Sequence, residues 1–202
     1  MIAVALATED ILSESIGQRL LAELGPQMQA KTLLRKNGFG YLRSRMTSWC
    51  QMAQHQAVVI LTDLDQAACP SALLDDWLAS SPRPLNLLLR VAVRESESWL
   101  LADHQAMRKL LGARGVLPAQ PDQLADPKQH LLRLAKAARR DVRLDLVQAK
   151  GAVASQGIGY NARLTELVRN DWSPGRAAQR SPSLERARHR MQELSLRLNA
   201  SK

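Results

Sequence analysis

At 202 residues, 46% of them hydrophobic, the chain is long enough to bury a full core without help from a partner. Aromatic residues make up only 3%, which argues against base stacking as the main binding device, and Cys50 and Cys69 stand outside any CxxC or Cys/His cluster, which argues against a zinc site or a disulfide framework. The net charge of +9 is unevenly spread: residues 1–103 carry 9 Lys and Arg against 11 Asp and Glu, whereas residues 104–202 carry 19 against 8, a division that suits a metal site beside a phosphate-binding surface.

The N-terminal run Ile2 to Ala7 lacks a basic leader and passes into Thr8-Glu9-Asp10, so it reads as a first strand and not a signal peptide. Ser13 can cap a helix whose apolar positions Ile16, Leu20, Leu21 and Leu24 recur at helical spacing, with Gly25-Pro26 as its stop. A weaker extended stretch, Lys31 to Leu34, leads to Asn37-Gly38-Phe39-Gly40, a turn or phosphate-facing loop, and then to a helix over Leu42 to His55. Val58 to Leu61 is a β-type run that ends in Thr62-Asp63-Leu64-Asp65. Pro70 to Leu78 reads as a short helix and Ser81-Pro82-Arg83-Pro84 as a rigid break. Leu85 to Val93 is apolar on both faces except at Asn86 and Arg90, the pattern of a central parallel strand covered on both sides. Arg94 to Asp103 then begins a helical pattern, and this alternation of strand and helix predicts a doubly wound α/β sheet.

Beyond Asp103 the β-type runs give way to helical periodicity at Gln105–Leu111, Pro127–Arg139 and Ser183–Leu198, with arginines on the polar faces. Gly151 to Asn161 reads as a loop before a further helix through Leu164 and Val168. The expected organisation is an α/β core with an acidic cluster over residues 1–103 and a basic, mostly helical region over 104–202 packed on it. No apolar run approaches the roughly 20 residues that span a bilayer, so a soluble, cytoplasmic protein is expected.

The acids give the strongest functional signal. An extended Asp-x-Asp would point the Asp63 and Asp65 carboxylates the same way at the carboxyl end of a strand, where open α/β sheets bind ligands. Glu9 follows the first strand, and Glu95 and Glu97 follow the last, so three strand ends deliver carboxylates to one edge. Like charges so close raise one another's pKa values, a conflict that a hard cation with oxygen ligands resolves. Glu9, Glu95 and Glu97 equally suit the first turns of the helices that follow them, and Asp103 suits a helix end.

These segments resemble the Toprim fold, in which a glutamate follows the first strand and an Asp-x-Asp a later one. More closely, Ile60-Leu61-Thr62-Asp63-Leu64-Asp65 and Val93-Arg94-Glu95-Ser96-Glu97-Ser98-Trp99-Leu100-Leu101-Ala102-Asp103 resemble a Toprim-related family of small bacterial proteins with a Glu-x-Glu-x-Trp-Leu-Leu-Ala-Asp signature. The likeness extends through Asp126-Pro127-Lys128, Gly159-Tyr160-Asn161 and Ser181-Pro182-Ser183-Leu184. It implies a four-stranded, mostly parallel Toprim-like sheet flanked by helices and, by kinship with primases, topoisomerases and OLD-type nucleases, Mg²⁺-dependent phosphodiester chemistry. Toprim enzymes often place glycine beside the glutamate, whereas this chain has Ala7-Thr8-Glu9-Asp10.

The expected site is therefore Glu9, Asp63, Asp65, Glu95 and Glu97 around one or two Mg²⁺ (or Mn²⁺) ions, with Glu9 as a further ligand or as general base. Arg94 would either contact the reacting phosphorus centre or neutralise its glutamate neighbours, and Lys128 is a candidate phosphate contact. Trp99, Leu100 and Leu101 are expected to pack the helix carrying Glu97. The four histidines show no paired spacing, and His104 reads as a surface residue. The expected partner is nucleic acid and the expected activity that of a nuclease, with phage defence as a candidate setting. Two alternatives stay open: a non-catalytic nucleic-acid-binding protein, and the partner of a defence ATPase, since no GxxxxGK[ST] stretch is present to supply energy.

Overall fold

The apolar runs become four strands, β1 (Ile2–Thr8), β2 (Met28–Arg35), β3 (Ala57–Asp63) and β4 (Leu87–Ala92), all parallel and in the order β2-β1-β3-β4. The computed structural model describes residues 2–35, 40–78, 83–149 and 154–200. Most of the expected 37–40 loop, the start of the 81–84 break and part of the 151–161 loop lie outside the described residues.

From β1 the chain steps one way to β2, and from β2 it steps the other way to β3 and on to β4. Right-handed crossovers then place the connecting helices on opposite faces. Accordingly, α1 (Ile11–Ala22) packs on one face, with Ile16 and Leu20 against Val4, Leu6 and Val59. Helices α2 (Tyr41–Ser44) and α3 (Met46–Met52) cover the other face, with Leu42 and Trp49 against Ala5, Val58 and Ile60, and α4 (Pro70–Leu78) joins them through Leu74 and Trp77. The two-residue pleat sorts each strand between these clusters. Gly17 permits the close seating of α1, because a Cβ there would lie 2.8 Å from a Leu6 methyl carbon.

The second half is helical: α5 (Glu97–Ala102), α6 (His104–Leu111), α7 (Pro127–Ala135), α8 (Arg140–Leu146), α9 (Tyr160–Asn170), α10 (Pro174–Ala178) and α11 (Pro182–Ala200). It packs on the α1 face, and one continuous hydrophobic cluster runs from Ile2 to Leu194 through both halves. No helix among the described residues is long and apolar enough to cross a membrane.

Several local expectations change. Asp10, not Ser13, caps α1: Asp10 accepts from the Ser13 backbone at 2.7 Å, while the Ser13 hydroxyl sits 3.2 Å from the Asp10 N–H in a reciprocal capping box. The helix expected over 42–55 breaks at Arg45 into two short helices. The helix expected over 127–139 stops at Ala135, and α8 follows as a separate element. β4 is an edge strand and not a central one. Its two-sided apolar pattern arises because helices cover both faces, α11 among them.

Asp103, expected as an ordinary helix-end residue, is fully buried. It caps α6 at the Ala106 N–H (3.3 Å) and accepts from the Ser173 N–H (2.8 Å) and from Arg176 Nε and Nη2 (2.9 and 2.8 Å). Removing one member of such a network leaves buried donors and a guanidinium without their acceptor. Asp103→Ala is therefore expected to destabilise the fold by about 3 kcal/mol, measured by urea denaturation; a loss below about 1 kcal/mol would show the network to be dispensable.

Candidate functional site

The strand order reverses between β1 and β3, since one sends its chain to β2 and the other sends its chain to β4. That reversal opens a crevice beyond the carboxyl ends of the two strands, the place where open α/β sheets hold ligands. Glu9 leaves β1 and Asp63 ends β3 at this point, and both line a cleft of about 720 Å³ together with Thr62, Asp65, Arg43 and Trp77. The opposite wall carries an Arg43–Asp76 ion pair at 2.7 Å.

Four of the five acids are each held by a neighbour. Thr62 Oγ1 donates to Glu9 Oε1 at 2.5 Å, which ties the end of β1 to the end of β3. Ser96 Oγ donates to Asp63 Oδ1 at 2.6 Å. The Tyr160 hydroxyl donates to Glu97 Oε1 at 2.7 Å, and the Lys128 backbone N–H donates to Glu95 Oε2 at 2.9 Å. The Lys128 ammonium lies over the Tyr160 ring, 5.3 Å from its centroid.

The strand does not stay extended through Asp-x-Asp. β3 ends at Asp63, and Asp65 turns into the left-handed region at φ 47°, which leaves its side chain exposed. The two carboxylates are thus offset, one half-buried at the strand end and one on the turn. Arg94 is also left-handed, at φ 64°. Its backbone C=O accepts from the Asp65 N–H at 2.9 Å, and its Nη1 donates to the carbonyls of Asp65 and Ala67 at 3.0 and 3.5 Å. Its guanidinium therefore clamps the 65–67 turn, and it forms no ion pair with Glu95 or Glu97 among the described residues. The helix expected from Arg94 starts only at Glu97, because Ser96 directs its hydroxyl to Asp63 instead of capping α5.

Burial and mutual repulsion act together on these groups. Burial raises the Asp63 carboxyl well above the usual range and the Glu97 charge adds to the effect, while the Ser96 hydrogen bond opposes it. Burial likewise raises Glu9, with Thr62 opposing and Asp65 and Asp10 adding. Glu97 is pushed up to about 6, mainly by burial, against the hydrogen bond from Tyr160. Burial, followed by the charge of Glu97, raises the Tyr160 hydroxyl. Glu95 is raised by burial and partly relieved by the Lys128 N–H.

The structure thus brings Glu9, Asp63 and Asp65 to one cleft and sets Glu95 and Glu97 beside it at the end of β4. Among the described residues, no group of three or more His, Cys, Asp or Glu side chains is arranged to hold a metal ion. His104 faces the Pro118 carbonyl at 2.9 Å and takes no part. Sequence reasoning missed Thr62, Ser96 and Tyr160 as the residues that orient the acids. Tyr160 stands in a segment already singled out by resemblance, but its partner Glu97 lies 63 positions away. The chain matches no protein-family profile, no curated protein and no solved structure.

The raised Glu97 pKa has a definite stability signature. A carboxyl that binds its proton more tightly when folded adds stability at acid pH and loses that contribution as pH rises from 4.5 through about 6. Glu97→Gln keeps an acceptor for Tyr160 without the charge. It should exceed wild type at pH 7 by about 2 kcal/mol in urea denaturation, with the gap closing towards pH 4.5. A gap that is constant across this range, or that widens towards acid, contradicts the assignment.

Proposed function

We propose that the switch-point cleft is a divalent-cation-dependent phosphodiester site acting on nucleic acid, with Glu9 and Asp63 as the residues that would hold Mg²⁺ or Mn²⁺ and Asp65 on the adjoining turn. The observation that carries this reading is the delivery of Glu9 and Asp63 to the crest of the β1/β3 reversal, joined through Thr62 and lacking a counter-cation among the described side chains. An all-oxygen donor set fits a hard cation. Mg²⁺ is commonly held by one or two carboxylates with waters and substrate phosphate completing its shell, so a pre-built cage of three protein ligands is not required.

When bound, the ion would polarise the phosphodiester and stabilise the leaving oxygen. The protein's own part is orientation. Thr62 fixes one Glu9 oxygen and leaves the other for a ligand or for deprotonating water. Ser96 fixes Asp63 in the same way. Glu97, buried behind Asp63, adds negative potential that favours a cation at the rim, and Tyr160 holds it in place. Arg94 supports the turn that presents Asp65. The Toprim resemblance of the same segments points to the same chemistry.

A second reading, a nucleic-acid-binding protein without catalysis, is favoured by one observation: Glu9, Asp63, Glu95 and Glu97 each already accept a hydrogen bond from the protein. The deciding experiment incubates single- and double-stranded DNA and RNA with the protein and Mg²⁺ or Mn²⁺. Wild type should cleave at least one substrate, and Asp63→Asn and Glu9→Gln should each lose at least about 100-fold in rate, as expected for groups that hold a metal or act on a proton. Binding that is equal in all three proteins, with cleavage in none, selects the second reading.

A further inference from the structure

The edge of the sheet opposite β2 carries a concentration of positive charge that the acid cleft does not use. The pleat places Leu88, Arg90 and Ala92 of β4 towards the face on which α11 packs. Arg186 and Arg190 stand on α11 at i, i+4 spacing, on one side of the helix and about 6 Å apart along its axis. Arg83 precedes β4 on the same edge. Arg90 and Arg186 line one small hollow there and Arg83 and Arg190 the next, of about 40 and 80 Å³, both too small for a base.

These cations are poorly compensated. The Arg90 Nε is buried without a hydrogen-bond partner. Arg83 and Arg186 are exposed and make no ion pair among the described residues, and of the four only Arg190 has one, with Glu193 at 2.8 Å. Burial and then the repulsion of Arg190, Arg83 and Arg186 lower the Arg90 pKa to about 10. A buried, orphaned guanidinium N–H surrounded by like charge is costly in the free protein and is relieved by an anion.

We propose that Arg83, Arg90, Arg186 and Arg190 form a track for the phosphate backbone of nucleic acid, gripping it without reading bases. The absence of exposed aromatic side chains among the described residues fits backbone recognition, and the fixed forks of arginine match phosphate oxygens. The track reaches the carboxyl end of β4, since Arg186 and Ser183 line the same hollow as Val93, two residues before Glu95. The inference takes its partner from the proposed function but requires nothing of the carboxylates, so it can stand if cleavage fails.

The test measures binding of labelled DNA and RNA oligonucleotides in EDTA, where metal-dependent cleavage is silent, across 0.05–0.2 M salt on the order of physiological strength. The double variant Arg83→Ala/Arg186→Ala should bind about tenfold more weakly, with a salt slope shallower by about 0.9 for each phosphate that is no longer neutralised. Arg143→Ala/Arg169→Ala removes the same charge from exposed positions on α8 and α9 and should stay within about twofold of wild type. Arg90→Met should melt no lower than wild type and bind more weakly. Equal losses in the two double variants, unchanged binding by Arg90→Met, or binding to phosphatidylserine vesicles but to no oligonucleotide would each overturn the track. Cleavage by a protein whose binding is diffuse would overturn the track and leave the catalytic reading intact.

Discussion

Six consecutive residues with no exposed side chain, Glu97 to Ala102, set the terms for the rest of the molecule. Burying so short a helix obliges the chain to supply a partner for nearly every polar group it carries. Tyr160 answers Glu97, Ser183 answers the Trp99 indole, the Trp172 indole answers the Trp99 carbonyl, and Ser173 and Arg176 answer Asp103. Those partners come from the segment before α10, from α9, from α10 and from the start of α11. The helical half is therefore not an appendage laid over a finished sheet. It is the set of groups that makes burial of α5 tolerable, and the sheet's acids are aimed as a by-product of the same arrangement.

The rim itself is electrostatically under tension. Glu9, Asp63 and Glu97 are buried more deeply than isolated carboxylates favour, and neighbouring charges raise their proton affinity further: Glu97, Asp10 and Glu9 act on Asp63, Asp65 and Asp10 on Glu9, and Glu95 on Glu97. A packing-only solution could have used amides or hydroxyls at these positions without that cost. Clusters of groups with perturbed proton affinity in a cleft are typical of functional sites, although structural networks produce them too. The arginine edge repeats the pattern with the opposite sign: the cleft and the edge each carry charge that the fold alone does not neutralise.

Much of this was legible in the sequence because it is local. The Val58–Leu61 run, the acids after β1, β3 and β4 and the periodicity of the later helices depend on neighbours a few positions away. The α/β sheet flanked by helices follows from them, while the count of four strands is what the Toprim resemblance implies. Strand order was not legible: the two-sided apolarity of Leu87–Ala92 is compatible with either a central strand or a covered edge, and only α11, nearly a hundred residues later, decides. The partners of Asp103 and Glu97 were hidden for the same reason, since Arg176 and Tyr160 meet them across 73 and 63 positions. The Asp63–Asp65 offset escaped because a left-handed aspartate leaves no periodic trace, although aspartate tolerates that conformation better than most residues.

The paired left-handed residues Asp65 and Arg94 have a mechanical consequence. They fasten the exits of β3 and β4 to each other by main-chain and guanidinium bonds, so that neither exit has an independent hinge. Whatever pulls on the Asp65 turn is transmitted directly to the backbone that leads into Glu95 and Glu97. The two sides of the rim must respond to an incoming load as one piece, and a glycine at position 94 would relax the backbone only by removing the guanidinium half of that linkage.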